Sequence, residues 1–223
     1  MHRFEEILDI AVARKGSREA VLADCPVPKP VEEIAAIPDD RWLAGMARGI
    51  FQAGISWTVV DKKWPEIEAA FRGFDVGAVS MMSEAWFDEL VADTRVIRSA
   101  PKIAAIRDNA TFLRALAEEG TGGFGRRVAD WPEEDFIGLL DWLKREGARL
   151  GGGTGAYLLR SMGKDSFILS KDVVARLVAE GVIDKAPGSR KAMQAVQDAF
   201  NTWRAESGET LTTISRVLAK SIG

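Results

Sequence analysis

The chain has 223 residues, of which 47% are hydrophobic and 28% are charged, and its formal net charge is −3 at pH 7. This composition is that of a globular protein with a sizeable core, and no apolar run approaches the ~20 residues of a membrane-spanning helix. One histidine, His2, and one cysteine, Cys25, are too few for a zinc site within the chain. A nucleophile activated by histidine would depend on His2, close to the terminus.

The charge is unevenly distributed along the chain. Residues 1–94 carry a net −7, residues 95–176 a net +3 and residues 177–223 a net +1. The basic middle third is compatible with a local phosphate-binding patch or with chance asymmetry on a solvated surface. The start of the chain carries acidic side chains and lacks the features of a signal peptide, so we expect a cytoplasmic protein.

The first half of the chain is predicted to form a series of helices. Apolar spacing predicts a helix over 4–14, three prolines predict an extended connector over 25–30, and Asp39 or Asp40 is the predicted N-cap of the next helix. The segment GISWTVVDKKW is ambiguous, since SWTVV would suit a strand. With no partner strand elsewhere, it is assigned as helix. Pro65 then predicts the start of a separate helix.

The second half continues in the same pattern, with a short helix over 75–82 and a helix that Ser83 caps. Further helices are predicted over 101–119, from Pro132, over 155–162, from about residue 171, and at about 189–206 and 208–221, with a glycine-rich loop at 120–125. The chain is therefore predicted to be all-α. We divide it into an N-terminal helix with its Pro-rich connector (1–38) and a helical domain (39–223), with a hairpin at about 150–158 and C-terminal helices at about 189–221.

The most glycine-rich segment, LGGGTG at 150–155, directly precedes a helix. Its backbone amides, Gly152, Gly153 and Gly155 among them, can approach another molecule closely, and a helix start favours bound phosphate. Taken alone, however, the segment favours a flexible loop or a tight turn between helices.

About twenty residues further on, Asp172 follows an apolar run and starts another helix. Acids are common in the first turn of helices for structural reasons alone. Taken alone, Asp172 therefore favours an N-cap or first-turn role over a chemical one.

Together the two features resemble the helix-hairpin-helix DNA glycosylase superfamily, in which a glycine-bearing hairpin grips DNA phosphate and an aspartate starts a later helix. Upstream, FQAGISWTVVDKKW, the FRGFD turn and VIRSAPKIAAIRDNATFL resemble the bacterial DNA-3-methyladenine glycosylase I family. The resemblance covers roughly residues 40–177. It implies an all-α fold of two lobes with a cleft between them, and a base-excision repair enzyme that hydrolyses the N-glycosidic bond of alkylated purines such as 3-methyladenine.

The resemblance also implies roles for particular residues. Trp57 falls where the family's tryptophan lines the base pocket, although a core tryptophan is the alternative, and Gln52 would contact a base edge or fill the gap in the duplex, although a surface glutamine is the alternative. Asp172 would stabilise the developing sugar cation and position water. The glycine hairpin, Lys171 and Arg160 would hold DNA phosphate.

Several positions depart from the family pattern. The family has a glutamate that recognises the methylated base where this chain has Gly49, and its zinc ligands, two cysteines and two histidines, are absent; longer terminal helices could replace that metal by packing. Gly155 and Ala156 stand where bifunctional members carry a Schiff-base lysine. We therefore expect a monofunctional, cofactor-free monomer acting on double-stranded DNA with a damaged base, and no membrane partner.

Two other functions stay open. The first is a non-catalytic DNA-binding relative on the same scaffold, which the loss at Gly49 would favour. The second covers a glycosylase that acts on another base lesion and a helical protein that is unrelated to this family. If the chain is a glycosylase, Trp57 and Asp172 should line one open cleft that the glycine hairpin borders.

Overall fold

A computed structural model describes residues 1–222 of the chain. They form fourteen α-helices, numbered in chain order: α1 (Phe4–Lys15), α2 (Arg18–Leu22), α3 (Val31–Ala35), α4 (Asp39–Gln52), α5 (Trp57–Ala70), α6 (Val76–Ser80), α7 (Glu84–Ala92), α8 (Ala100–Glu118), α9 (Gly123–Asp130), α10 (Phe136–Glu146), α11 (Gly153–Met162), α12 (Lys171–Ala179), α13 (Arg190–Ser207) and α14 (Leu211–Lys220). Two short 3-10 helices cover Arg72–Phe74 and Glu133–Asp135. Since these residues contain no strand, the predicted all-α fold is confirmed.

The chain divides into two compact units. The first unit contains Met1–Lys29, Trp131–Gly138 and the residues from 163 onward. The second unit contains Pro30–Asp130 and Leu139–Met162. The glycine hairpin, Trp57 and Gln52 thus belong to the second unit, and Lys171 and Asp172 to the first.

The core of the second unit is built around α4. Its apolar face is fully buried and packs on α8, α9 and α11. Trp42 on this face meets Phe124 of α9 edge-on, with ring centroids 4.9 Å apart, and Phe124 stacks on Trp142 of α10 at 5.5 Å. Aromatic pairs of this kind add to the stabilisation from buried area. The helix that carries Gln52 is therefore held by a rigid aromatic cluster.

The core of the first unit contains a second aromatic cluster. Phe167 stacks on Phe200 of α13 with centroids 4.3 Å apart, and Phe136 and Trp203 extend this cluster at its two ends. The Trp203 indole N–H donates to the His2 carbonyl at 3.0 Å, and α1 packs against α13 and α14. The two ends of the chain are thus packed together in one core.

A buried ion-pair network connects the same terminal segments. The Glu180 carboxylate, 1% exposed, accepts hydrogen bonds from the His2 backbone N–H at 2.6 Å and from Arg176 at 3.3 Å, and lies 2.9 Å from the His2 ring nitrogen Nδ1. Arg176 also donates to the Ser221 hydroxyl and carbonyl. Burial acts to raise the pKa of Glu180, but the bonds from His2, the His2 charge and Arg176 outweigh it and lower this pKa.

Some predicted boundaries differ from the structure. The N-cap of α4 is Pro38, so Asp39 and Asp40 lie in the first turn instead. Helix α5 continues through Pro65, because Val60 and Ile67 are buried before and after the proline and hold both parts of the helix against the core. The predicted extended connector at 25–30 is confirmed.

Part of the predicted glycine loop at 120–125 is helical. Helix α9 begins at Gly123, and the short helices α2 and α3 have no counterpart in the predicted elements. Gly125 lies within α9, where a Cβ atom would come 3.0 Å from the Ala35 carbonyl oxygen and 3.1 Å from the Trp42 indole nitrogen. This glycine therefore serves close packing of α9 on α3 and α4. Among residues 1–222, no helix is long and apolar enough to cross a membrane.

Candidate functional site

A concave surface in the second unit, which we term the α4–α5–α11 cavity, brings together residues of three helices. From α4 it is lined by Arg41, Ala44, Gly45, Arg48, Gly49 and Gln52; from α5 by Trp57, Asp61 and Trp64; and from α11 by Tyr157, Leu158, Arg160, Ser161 and Met162. Three of the predicted site residues, Gln52, Trp57 and Arg160, thus share one cavity.

Two exposed aromatic rings form one wall of the cavity. Trp57, the first residue of α5, is 52% exposed, and Tyr157 of α11 is 41% exposed. Their rings meet edge-on with centroids 5.3 Å apart and an interplanar angle of 89°. Large aromatic side chains are normally buried, and exposed ones in a concave site are suited to stacking on a flat ligand. The alternative of a core tryptophan at Trp57 is therefore wrong.

Another part of the lining is a polar triad of Arg48, Gln52 and Asp61. Arg48 donates to Asp61 Oδ1 from Nε at 3.1 Å and from Nη2 at 2.7 Å, and Gln52 Nε2 donates to the same oxygen at 3.2 Å. The Arg48 guanidinium also lies 5.3 Å from the centroid of the Trp64 ring. Trp64 in turn stacks on buried Phe74 with centroids 5.6 Å apart. The orientation of the Gln52 amide is thereby fixed by Asp61.

Gly45 and Gly49 allow α4 and α11 to approach closely. A Cβ atom at Gly45 would lie 3.0 Å from Leu158 Cδ1, and one at Gly49 would lie 3.3 Å from Thr154 Cγ2. Both distances are shorter than ordinary contacts, so larger residues would require the α11 side chains to move. Gly49 therefore has a packing role in this chain, in the position where the family resemblance implies a glutamate.

The loop between α4 and α5 is held by Lys102 of α8. Lys102 Nζ donates to the carbonyl oxygens of Phe51 at 3.1 Å and Ala53 at 2.7 Å, which are at the end of α4. Carbonyl groups at a helix end lack partners within the helix, and a cation suits the negative end of the helix dipole. Burial, and then the charge of Arg149, lower the pKa of Lys102. This contact fixes the entry to α5 and so the position of Trp57.

The glycine hairpin connects α10 to α11. Arg149 and Gly152 have positive φ angles of 59° and 61°, Gly152 and Gly153 are exposed, and α11 begins at Gly153. Gly155 is buried, and a Cβ atom there would lie 2.5 Å from the Leu150 carbonyl oxygen. The exposed pair is therefore available to a phosphate group, whereas Gly155 allows the first turn of α11 to pack on the hairpin.

The remaining predicted site residues, Lys171 and Asp172, are exposed in the first turn of α12. The N-cap of this helix is Ser170, whose hydroxyl accepts a hydrogen bond from the Val173 N–H at 3.3 Å, so Asp172 is not the cap. The buried aspartate nearby is Asp165, which accepts from the backbone N–H groups of Leu211 and Thr212 at 2.9 and 2.8 Å. The proximity of Trp57 and Asp172 stays a prediction.

Sequence reasoning missed Asp61 and Tyr157. Asp61 is four residues after Trp57, which places both on one face of a helix, and this spacing is a signal that the sequence contains. Tyr157 is the single tyrosine of the chain and comes two residues after the glycine-rich segment LGGGTG. Their meeting in one cavity depends on how α11 packs on α4, which no local pattern specifies.

The segment that contains Trp57 and Gln52 is similar to a known protein family. Residues 39–133 match the family model described as methyladenine glycosylase. This segment contains the whole of α4 to α9, and with them Gly49, Gln52, Trp57 and Asn109. This part of the chain is similar to the methyladenine glycosylase family, and the resemblance seen in the sequence is confirmed.

Two individual proteins are similar to parts of this chain. The chain is 39% identical over 69 residues to DNA-3-methyladenine glycosylase 1 of Escherichia coli (strain K12), a match that covers 31% of this chain and 37% of that protein. The chain thus matches well under half the length of this curated relative. The crystal structure of 3-methyladenine DNA glycosylase I (TAG) is 25% identical, with a TM-score of 0.49, and the match covers 61% of this chain and 81% of that one.

Proposed function

We propose that this protein is a monofunctional DNA glycosylase of base-excision repair that releases alkylated purines such as 3-methyladenine from double-stranded DNA. The observation that carries the proposal is the α4–α5–α11 cavity, which is lined by an exposed tryptophan, Trp57, and by Gln52, both within the segment that matches the family model. A base extruded from the duplex would stack on Trp57, and the Gln52 amide would contact its edge. Stacking on an aromatic ring contributes ~1–3 kcal/mol per base.

The hairpin would hold the DNA beside this cavity. The exposed N–H groups of Gly152 and Gly153 at the start of α11 suit a phosphate, because helix starts offer free donors and the positive end of the dipole. Gly155 would contribute by allowing this turn to form. Arg160, which lines the cavity, would attract the phosphates of the same DNA strand. Lys171 would contact a neighbouring phosphate.

The reaction requires little activation when the leaving base is cationic. As the C1′–N bond breaks, the base leaves with the bonding electron pair, and water adds its oxygen to C1′. Asp172 is the proposed carboxylate that stabilises the positive sugar and accepts the proton of that water. Since Ser170 caps α12, the Asp172 carboxylate is not needed for the helix start. No lysine lines the cavity, which agrees with hydrolysis rather than Schiff-base chemistry.

Incubation with methylated duplex DNA, followed by chromatography of released bases, tests the proposal. The wild-type protein should release 3-methyladenine, and Trp57→Ala should reduce the rate at least tenfold without changing the melting temperature, since this ring is exposed. Met81→Ala, an exposed hydrophobic residue outside the cavity lining, is the matched control and should retain full activity.

A non-catalytic relative is the second candidate, and the specific observation in its favour is Gly49. The glutamate that the family resemblance implies is missing there, and Gly49 instead allows α4 to pack closely on α11. A protein that binds duplex DNA in a salt-sensitive manner but releases no base from any alkylated substrate would establish this candidate and exclude the first.

A further inference from the structure

One carboxylate is present in the α4–α5–α11 cavity. Of the residues that line it, Asp61 alone is acidic, and its side chain is 45% exposed. It lies one turn after Trp57 on the same face of α5, so a ring stacked on Trp57 would have this carboxylate at its edge. The sequence and the family resemblance assigned no role to this position.

The hydrogen bonds of Asp61 leave part of its carboxylate open. Arg48 and Gln52 together place three donors on Oδ1, at 2.7 to 3.2 Å, so Oδ2 remains for a ligand. Arg48 is itself 45% exposed, and its guanidinium is otherwise held only by the face of Trp64. Exposed ion pairs of this kind are weak and readily exchanged. A second cation in the cavity can therefore replace Arg48 as the partner of Asp61.

The other cationic side chain on α4 is already neutralised. Arg41 forms ion pairs with Glu68 and Asp40 and donates to the Gly73 carbonyl at 2.6 Å. The remaining cation of the lining is Arg160, at the far end of α11. The charged groups that form a hydrogen-bonded cluster with Gln52 are Arg48 and Asp61.

On these observations we propose that Asp61 is the residue by which this cavity selects a positively charged purine, taking on α5 the recognition role that α4 cannot supply at Gly49. In the empty cavity Arg48 neutralises and orients Asp61; on binding, the cationic base stacks on Trp57 and takes the place of the guanidinium. This inference rests on the proposed function, because it names the substrate class of the same cavity. The attraction of a cation to the face of Trp57 acts in the same direction.

Binding of small purines separates this inference from the enzymatic activity. The probes are 3,9-dimethyladeninium, which is positively charged at pH 7, and neutral 9-methyladenine, titrated by fluorescence quenching into the full-length wild type, Asp61→Asn and Glu66→Gln. Glu66 is an exposed acid on the same helix outside the cavity lining, so Glu66→Gln matches the change in net charge. Asp61→Asn preserves the size of the side chain.

The wild type and Glu66→Gln should prefer the charged purine by about tenfold, equivalent to ~1.4 kcal/mol, and Asp61→Asn should lose this preference while binding 9-methyladenine unchanged. A wild type with no preference, or a preference that Asp61→Asn retains, would overturn the inference even if methylated DNA is cleaved. A charge preference in a protein that releases no base would instead contradict the proposed function and leave the inference standing.

Discussion

Asn109 of α8 holds the backbone of Ala148 through both of its amide atoms. Its nitrogen Nδ2 donates to the Ala148 carbonyl at 3.0 Å, and its oxygen Oδ1 accepts from the Ala148 N–H at 2.8 Å. The Asn109 side chain is fully buried, and Ala148 lies in the connection between α10 and α11, two residues before the glycine-rich segment that begins at Leu150. The asparagine of the family-like IRDNA segment is therefore the anchor of the hairpin.

Asn109→Ala should leave two hairpin backbone groups without partners. An unsatisfied buried group costs roughly 1–3 kcal/mol, and the Ala148 groups are half-buried, so we expect a loss of about 1–2 kcal/mol in the free energy of unfolding, measured in urea. DNA affinity should fall as well, since the hairpin loses its support. Asp108→Asn, an exposed neighbour on the same helix, should change neither quantity. An Asn109→Ala variant as stable as wild type would show that the hairpin is held by other contacts.

Gly155 and Gly153 should respond differently to the same substitution. The Cβ atom of Gly155→Ala would lie 2.5 Å from the Leu150 carbonyl oxygen, so we expect destabilisation by ~1–3 kcal/mol. At Gly153 a Cβ atom meets only Tyr157, at 3.8 Å, and its φ angle is ordinary, so Gly153→Ala should fold with wild-type stability. Thermal melts of the two variants check this contrast, which equal melting temperatures would contradict.

Features that depend on local sequence were predictable from this chain, whereas features that depend on contacts between helices were not. Helices α4 and α8 follow from regular apolar spacing, and the places of Trp57 and Gln52 in the cavity lining follow from their motif. Pro65 predicts a helix start, but it lies inside α5, because burial of the residues around it overrides the local preference of proline. Asp61 became a site residue only through contacts between α4 and α5, and such contacts leave no pattern in a single segment.

Glu180 makes stability depend on pH in the acid range. Its pKa is lowered in the folded state, so its ionised form stabilises the fold at pH values above its unfolded pKa of about 4.5, and this contribution is lost as the pH falls through the folded value. Glu180→Gln should therefore destabilise the protein at pH 7 by a few kcal/mol, because it leaves buried Arg176 without its charge partner. The difference from wild type should shrink towards pH 3 in urea titrations.

Glu118→Gln is the matched control for Glu180. Glu118 forms an exposed i,i+4 pair with Arg114 at 3.6 Å, and such pairs contribute at most ~0.5 kcal/mol. This variant should follow the wild-type pH curve throughout. If Glu180→Gln does the same, the ion-pair network between the terminal segments contributes nothing to stability, and the packing of α1 on α13 and α14 alone holds them.

Asp172→Asn tests the proposed catalytic carboxylate. The change keeps the size of the side chain and removes its charge, so base release from alkylated DNA should fall by ~10²-fold or more, equivalent to ~3 kcal/mol of lost transition-state stabilisation. Because Asp172 is exposed and Ser170 caps α12, the melting temperature should stay at the wild-type value. DNA affinity should change little, since the hairpin and Trp57 are untouched.

Ser170→Ala, two residues before Asp172, should lower stability and leave base release unchanged. Loss of the hydroxyl that accepts from the Val173 N–H should lower the free energy of unfolding by ~0.5–2 kcal/mol while the charge of Asp172 remains. Base release measured well below the melting temperature should then be close to wild type. The pair of variants separates chemistry from helix capping, because each affects one property. Wild-type turnover by Asp172→Asn on methylated DNA would leave Asp172 without a catalytic role and would assign the reaction to the lability of the cationic base and the binding cavity.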